Sequence, residues 1–418
     1  MNIVHSEASC GWGGQEIRIL VEARGMIARG HRVTVLAPVE SRIFAEATRF
    51  GVPAEALPIG RKTLAGIAAL RAWLLRHPVD VVNTHSSTDS WLAALAWASM
   101  RKPPPIVRTR HISAPVPDNF ASRWLYRSAS RFVVTTGESL RESLIARLKL
   151  DPDRVVSIPT GIDTEACFPP TQRQREAARK TIGVGDERFV IGIVATLRSW
   201  KGHRYLIEAF AAAFGDAGSE ARLVIIGDGP QRAALESLVD AKRLRASVTF
   251  AGNQPDVVPW LHALDVFALP SYANEGVPQA ILQAMACGIP VVTTDAGAIG
   301  EVATHEETAL IVRKEDADDL ASAIVRLAGD EILRARLASN ALRLVRESHG
   351  IEAMLDKMEA VFEAARAGNG RPFPEHGPLP TSDSIPTSDS IPNSDSIPNS
   401  DSLNSNSLPL DGEGPGRG

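Results

Sequence analysis

A carboxylate, Glu275, stands in a turn just ahead of a glycine, a valine and a proline, within residues 272–294, YANEGVPQAILQAMACGIPVVTT. Pro278 suits the first position of a helix, because the N–H it lacks would have no partner there. The small and apolar residues to 286 continue that helix, 288–290 break it, and 291–294 reads as a buried strand. The free amides of the first turn, Gly276 and Val277 among them, can then face an anion. The helix dipole adds roughly half a positive charge at the same end. Gln283 comes eight residues after Glu275, at most ~12 Å along a helix. Two polar side chains so spaced about an anion site suit the two ends of a phosphate-bridged ligand. An ordinary turn–helix–strand of an α/β protein also fits the same letters.

Cations come from a second stretch, ATLRSWKG at 195–202, which supplies Arg198 and Lys201. It follows an apolar strand, so both charges belong at the carboxyl edge of a sheet, where open α/β proteins bind ligands. Fixed positive charge there would stabilise a diphosphate leaving group without reorganising. It could also replace a metal ion, and no DxD pair stands in this stretch to hold one. A solvated loop is the plain alternative.

Glycines mark further candidate contacts. GWGGQE at 11–16, with Gly13 and Gly14, follows a first strand and precedes a helix, which lets backbone amides approach a diphosphate. It is not GxGxxG, and no ribose-binding acid follows the second strand, which disfavours a nicotinamide enzyme. Gly227 and Gly229, in IGDGP, shape a turn expected beside the base; Gly252, Asn253 and Gln254 are expected to meet its edge. His85 ends the strand VVNTH, and Arg110 and His111 follow another strand in RTRHISAP. These three are candidates for the sugar and acceptor side, although either imidazole could be a packed side chain. No strong Ser-His-Asp or Cys-His arrangement accompanies them.

The elements that must position these residues form two series. Apolar strands are expected at 2–5, 32–37, 79–84, 106–109, 132–136 and 155–158, with helices between, which makes a doubly wound parallel domain. A second series runs through strands at 189–195, 223–226, 248–251, 266–269, 291–294 and 309–312. The expected organisation is a first Rossmann-like domain over 1–165, an irregular linker over 166–185 and a second Rossmann-like domain over 186–345. Residues 346–367 form an amphipathic helix, and 368–418 form a tail built on imperfect TSDSIP repeats, expected to be disordered.

Five elements in order, GWGGQE, SIPTGID, LRSWKG, IGDGP and EGVPQA…MACGIPVV, resemble glycosyltransferase family 4, over roughly residues 1–365. The resemblance implies a GT-B fold: two doubly wound domains face a cleft, and the last helix crosses back to the first. It implies a retaining, metal-independent transferase with no cofactor, whose nucleoside-diphosphate-sugar is a substrate. Glu275 would organise the donor sugar, Lys201 and Arg198 the diphosphate, and His85 the sugar–acceptor pocket. The family's second acid is Gln283 here, and its usual arginine is Thr196, with Arg198 the nearest substitute. The acceptor would be a glycan or lipid-linked sugar in bacterial lipopolysaccharide or surface polysaccharide synthesis. A GT-B epimerase, turning over donor alone, and a non-catalytic nucleotide-sugar-binding subunit are the alternatives.

Composition sets outer limits. A net charge of −4 gives no sign of nucleic-acid binding, but residues 1–165 carry 21 Lys+Arg against 15 Asp+Glu. That asymmetry points to an anionic ligand or surface, or to scattered solvated arginines. Residues 61–77 and 120–132 mix arginines with Leu, Trp, Tyr and Phe, and suit either an anionic membrane face or core-packed helices. Three dispersed cysteines form no disulfide or zinc pattern, which suits a reducing cytosol. The polar start is no signal peptide, and no apolar run reaches the ~18 residues of a membrane span. A cytoplasmic protein, in part peripheral on the inner membrane face, is expected.

Overall fold

A computed structural model describes residues 1–373, apart from Ser113, 186–187, 216–220 and Asn274. The expected repeat tail lies, from residue 374 on, outside the described residues.

The strands are β1 (Asn2–Ser6), β2 (Arg32–Ala37), β3 (Ala54–Ala56), β4 (Val81–Thr84), β5 (Ile106–Arg110), β6 (Ser130–Thr135) and β7 (Val155–Ser157) in the first domain. In the second they are β8 (Val190–Val194), β9 (Arg222–Ile226), β10 (Val248–Gly252), β11 (Val266–Leu269), β12 (Val291–Thr293) and β13 (Leu310–Ile311). The sheet orders are β3-β2-β1-β4-β5-β6-β7 and β10-β9-β8-β11-β12-β13. The ladders between these strands are parallel. Both faces are covered, which is why these strands read as nearly continuous apolar runs. Strand order reverses between β1 and β4 and again between β8 and β11. Crevices open at such switch points, beyond the carboxyl ends of the strands. The four loops leaving these strands carry GWGGQE, His85, Arg198–Lys201 and Glu275.

The first domain's core joins Ile3, Val35, Val81, Val107 and Val134 to Ile19, Leu20 and Met26 of the first helix, Gly14–Ala28. Met354, Leu355, Met358, Val361 and Phe362 of the last helix, Ile351–Ala367, complete it. Each such side chain contributes about 1.5–3 kcal/mol by leaving water. Arg29 bonds Glu352, Asp356 and Glu359 of that helix at 2.6, 2.8 and 2.9 Å. The chain therefore crosses between domains twice, and the crossings hold each other: Ile162 N donates to His349 O at 2.8 Å and Ile351 N to Ile162 O at 3.0 Å. Across the cleft, Glu301 accepts from the amides of Glu138 and Ser139 at 2.7 and 2.9 Å. A carboxylate of the second domain thus caps a helix of the first.

Local expectations need correction in three places. Residues 166–185 are not irregular throughout: Gln172–Thr181 is a helix, started by a Thr171–Gln174 capping box. Arg175 and Arg179 pin it to Asp265 at 2.5 and 2.6 Å. The edge strand β3 was not expected, because three residues, AEA, show no usable alternation. Pro278 is the N-cap (φ −72°, ψ 125°), and the helix is Gln279–Ala286. Proline's fixed φ suits both positions, so only ψ separates cap from first turn.

Candidate active site

Glu275 and Lys201 meet. The Lys201 ammonium lies 2.6 and 2.9 Å from the two Glu275 carboxylate oxygens, and Ser271 Oγ donates to one of them at 2.7 Å. The pair is largely enclosed, with the side chains 20% and 6% exposed. Lys201 ends a single 3-10 turn, Ser199–Lys201, that follows β8; Glu275 lies in the loop after β11. Adjacent strands at the switch point therefore deliver opposite charges to one place.

The first domain closes over this pair. A Cβ on Gly276 would collide with Thr136 Oγ1 and lie 2.9 Å from His111 O, so the Glu275 loop needs glycine there. Val277 N, expected to be free for an anion, donates to Thr136 O at 3.3 Å in this conformation. Gly13 caps the first helix next to Thr196, and Gly14 opens that helix 3.7 Å (from a built Cβ) from Gln279 Oε1. Gln279 Oε1 is buried without a hydrogen-bond partner. Two helix N-termini, one from each domain, thus meet where the Glu275 loop ends, an electropositive setting for a phosphate group. Arg198 is exposed, its guanidinium 5.3 Å from the Trp200 ring centre, and its charge reaches Glu16 across the cleft.

Other expected donor contacts have local structural work. A Cβ on Gly227 (φ 135°) would strike Ala195 O, so this turn packs directly on the loop leading to Lys201. A Cβ on Gly229 would lie 2.8 Å from Leu197 O. Gly252 O accepts from Gly227 N at 2.8 Å, Gln254 Nε2 donates to Ala251 O at 2.6 Å, and Asn253 is exposed. Gln283 is half-buried on the helix beginning at Gln279.

On the first domain, His85 belongs to a chain of imidazoles. Its Nε2 is 2.9 Å from His5 Nδ1 and its Nδ1 is 3.0 Å from His111 Nε2. Both His85 nitrogens are therefore occupied, and His111 is the member beside the Glu275 loop. Burial lowers His5 to about 3 and holds His85 and His111 well below the usual histidine range. The three rings are therefore neutral and add no charge of their own beside the Glu275 loop. His5, Asp89, Thr136 and Ser271 were not expected here. His5 carried one usable signal, a polar residue ending an apolar strand.

Glu7 is buried, accepting from Ser9 N at 2.7 Å and from Gln15 Nε2. Burial, then Asp89, pushes its carboxyl up to about 8 from 4.5. The folded state therefore holds an extra proton between these values, so stability is lost as pH rises through about 8. Buried His5 acts oppositely, costing stability only below its unfolded value of 6.5. Between pH 6.5 and 8, unfolding free energy should fall by up to ~1.4 kcal/mol per unit from Glu7. Glu22, raised by burial to about 7, adds to the lower part of this range. Denaturant titrations across that range should show the slope in the wild type and a shallower one in Glu7→Gln. Equal slopes would show that Glu7 titrates normally in the fold.

Two family models match the chain in succession: Glycosyltransferase Family 4 over residues 12–166 and Glycosyl transferases group 1 over 174–343. A D-inositol 3-phosphate glycosyltransferase of Stackebrandtia nassauensis is 30% identical over 63% of this chain and 63% of its own length. An Escherichia coli UDP-Gal:alpha-D-GlcNAc-diphosphoundecaprenol alpha-1,3-galactosyltransferase is 26% identical over 72% of this chain and 79% of its own. Anabaena HepE, solved with UDP-glucose, superposes with a TM-score of 0.77 at 22% identity, over 87% of this chain and all of HepE (100%). With both domain models in order on two facing Rossmann-like sheets, the chain belongs to glycosyltransferase family 4 and has the GT-B fold.

Proposed function

We propose that this protein transfers a sugar, with retention of configuration and without a metal ion, from a nucleoside-diphosphate-sugar to a glycan or lipid-linked acceptor. The observation carrying this reading is the largely enclosed Lys201–Glu275 pair, on a loop that packs against the first domain and leads to two helix N-termini. A diphosphate entering there exchanges Glu275 for phosphate oxygens at Lys201, with Arg198 at the rim. Glu275 then turns to the sugar. Negative charge grows on the diphosphate as the glycosidic bond breaks, and Lys201 stabilises that charge. The acceptor hydroxyl attacks from the face the diphosphate leaves, and a diphosphate oxygen takes its proton. The relatives' names, with D-inositol 3-phosphate and a diphosphoundecaprenol-linked sugar, support a phosphorylated or lipid-diphosphate-linked acceptor.

A thermal-shift screen of uridine and guanosine diphosphate sugars tests the donor. Proton NMR of the sugar first released to water then tests the stereochemistry. An α-linked donor should yield the α anomer first; the β anomer first would overturn retention. In this reading Gln283 anchors the ribose. Gln283→Ala should raise donor KM severalfold with kcat nearly unchanged, because the ribose is not altered in the reaction. Unchanged KM would make Gln283 a packing residue.

The site also needs access to its acceptor. Among the described residues, no helix is long and apolar enough to cross a membrane. Leu64 and Phe120 are 84% and 87% exposed on the first domain, near Arg61, Lys62 and Arg123 in sequence. Apolar and basic groups together suit peripheral docking on an anionic bilayer. Sedimentation with anionic liposomes at low salt tests this, and absence of binding would remove it.

A further inference from the structure

Strand alternation puts Arg108 and Arg110 of β5 on the same face of the sheet. Both are substantially buried, Arg108 to 4% exposure. A buried cation is costly unless a counter-charge and hydrogen bonds compensate it. Among the described residues neither guanidinium has a carboxylate within ion-pair distance, and neither Nε has a hydrogen-bond partner. Arg108 makes a long bond, 3.4 Å, to Ser86 O and stacks 4.8 Å from the Tyr126 ring centre. Arg110 bonds Tyr126 Oη at 3.3 Å and Ala114 O. Tyr126 feels both cations, which hold its phenol below the usual range despite burial.

A third cation approaches the start of the helix Ser87–Ala98, whose N-cap Ser86 Arg108 contacts: Lys62 Nζ is 3.4 Å from Ser87 Oγ. Asp89 is the nearby carboxylate and feels the Arg108 charge, but its hydrogen bonds go elsewhere. It accepts from the amides of His85 and Ser86, both at 2.8 Å, from Ser86 Oγ, and from Ser6 Oγ at 3.1 Å. The positive charge therefore exceeds what the fold itself answers. The next residue, His111, is the one whose carbonyl borders Gly276, so the excess lies beside the donor-sugar loop.

We propose that Arg108 and Arg110, with Lys62 at the rim, form a subsite for an oxyanion carried by the acceptor, close to the hydroxyl that receives the sugar. The two buried, unpartnered Nε–H groups are the donors left for phosphate or carboxylate. The anion supplies the missing counter-charge and sets the acceptor's orientation. This rests on the transferase reading above, and deepens it by assigning the acceptor's chemical class.

The test titrates the full-length protein with inorganic phosphate, and in parallel with acetate, at fixed ionic strength. A saturating nucleoside diphosphate occupies the donor site, and thermal midpoint is the readout. The wild type should be stabilised by at least one anion, and Arg110→Gln should need roughly tenfold more of it. Arg110→Lys, which keeps the charge but loses the planar edge, should fall between. Arg245→Gln, which disrupts an exposed pair with Asp240 on the second domain, should respond as the wild type does. A phosphate response assigns a phosphorylated acceptor, an acetate response a carboxylate-bearing one, and both together an unselective oxyanion site. No response in the wild type, or an unchanged one in Arg110→Gln, overturns the subsite. Nucleotide binding is read separately: its loss in the wild type refutes the donor reading, while the Arg110 comparison still decides the subsite.

Discussion

Lys201→Ala should lower kcat/KM for sugar transfer by about 10²-fold or more, because it removes the fixed charge facing the departing diphosphate. The geometry makes this the most damaging single change. Lys201 is the cation within hydrogen-bonding reach of Glu275, whereas Arg198 is exposed and rests against Trp200. Stability should fall as well, since Glu275 would keep a buried carboxylate with, among the described residues, the Ser271 hydroxyl to answer it. Removing one member of such a pair costs about 3–5 kcal/mol when fully buried, and less here because Lys201 retains 20% exposure. The double variant Lys201→Met, Glu275→Gln separates the two effects. It should recover much of the stability, because no unpaired charge remains, while transfer stays lost. Near-normal kcat/KM in Lys201→Ala would place the diphosphate elsewhere.

Glu275→Gln should chiefly lower kcat, by about 10²-fold, with a small effect on donor KM. The amide is nearly isosteric and can still accept from Ser271. It cannot carry the charge that becomes useful once Lys201 turns to the diphosphate and positive character develops at the sugar. Its NH₂ group would also face the Lys201 ammonium, which should cost some stability. Steady-state kinetics separate the possibilities: a pure KM effect would make Glu275 a binding group, with no part in the reacting centre.

The fold was largely legible because parallel sheets covered on both faces leave a strong local trace. Val266–Leu269, VFAL, is buried throughout and reads as a core strand from its letters alone. β3 left no such trace, being short and partly exposed at a sheet edge. The helix Gln172–Thr181 has almost no apolar residues; distant Asp265 holds it, through Arg175 and Arg179, and no local pattern reports that contact. The site divides in the same way. Glu275 and Lys201 each stand in a recognisable stretch, but their ion pair spans 74 residues and only the switch-point topology creates it. His85 was legible as a strand-end histidine. Its partners, 80 and 26 residues away in sequence, became visible only when three strand ends met. Val277 was read as a free amide because the docking of Thr136 comes from the other domain.

Isothermal titration of the cognate nucleoside diphosphate and its sugar into wild type, Lys201→Ala and Glu275→Gln tests most directly whether the Lys201–Glu275 pair is the centre of the donor site. Lys201→Ala should bind both ligands at least tenfold more weakly, since a charge-assisted phosphate contact is lost. Glu275→Gln should bind the diphosphate at least as well as the wild type, because Lys201 no longer has to leave a carboxylate, and should keep donor affinity while losing turnover. Wild-type affinity for the diphosphate in Lys201→Ala would contradict the account.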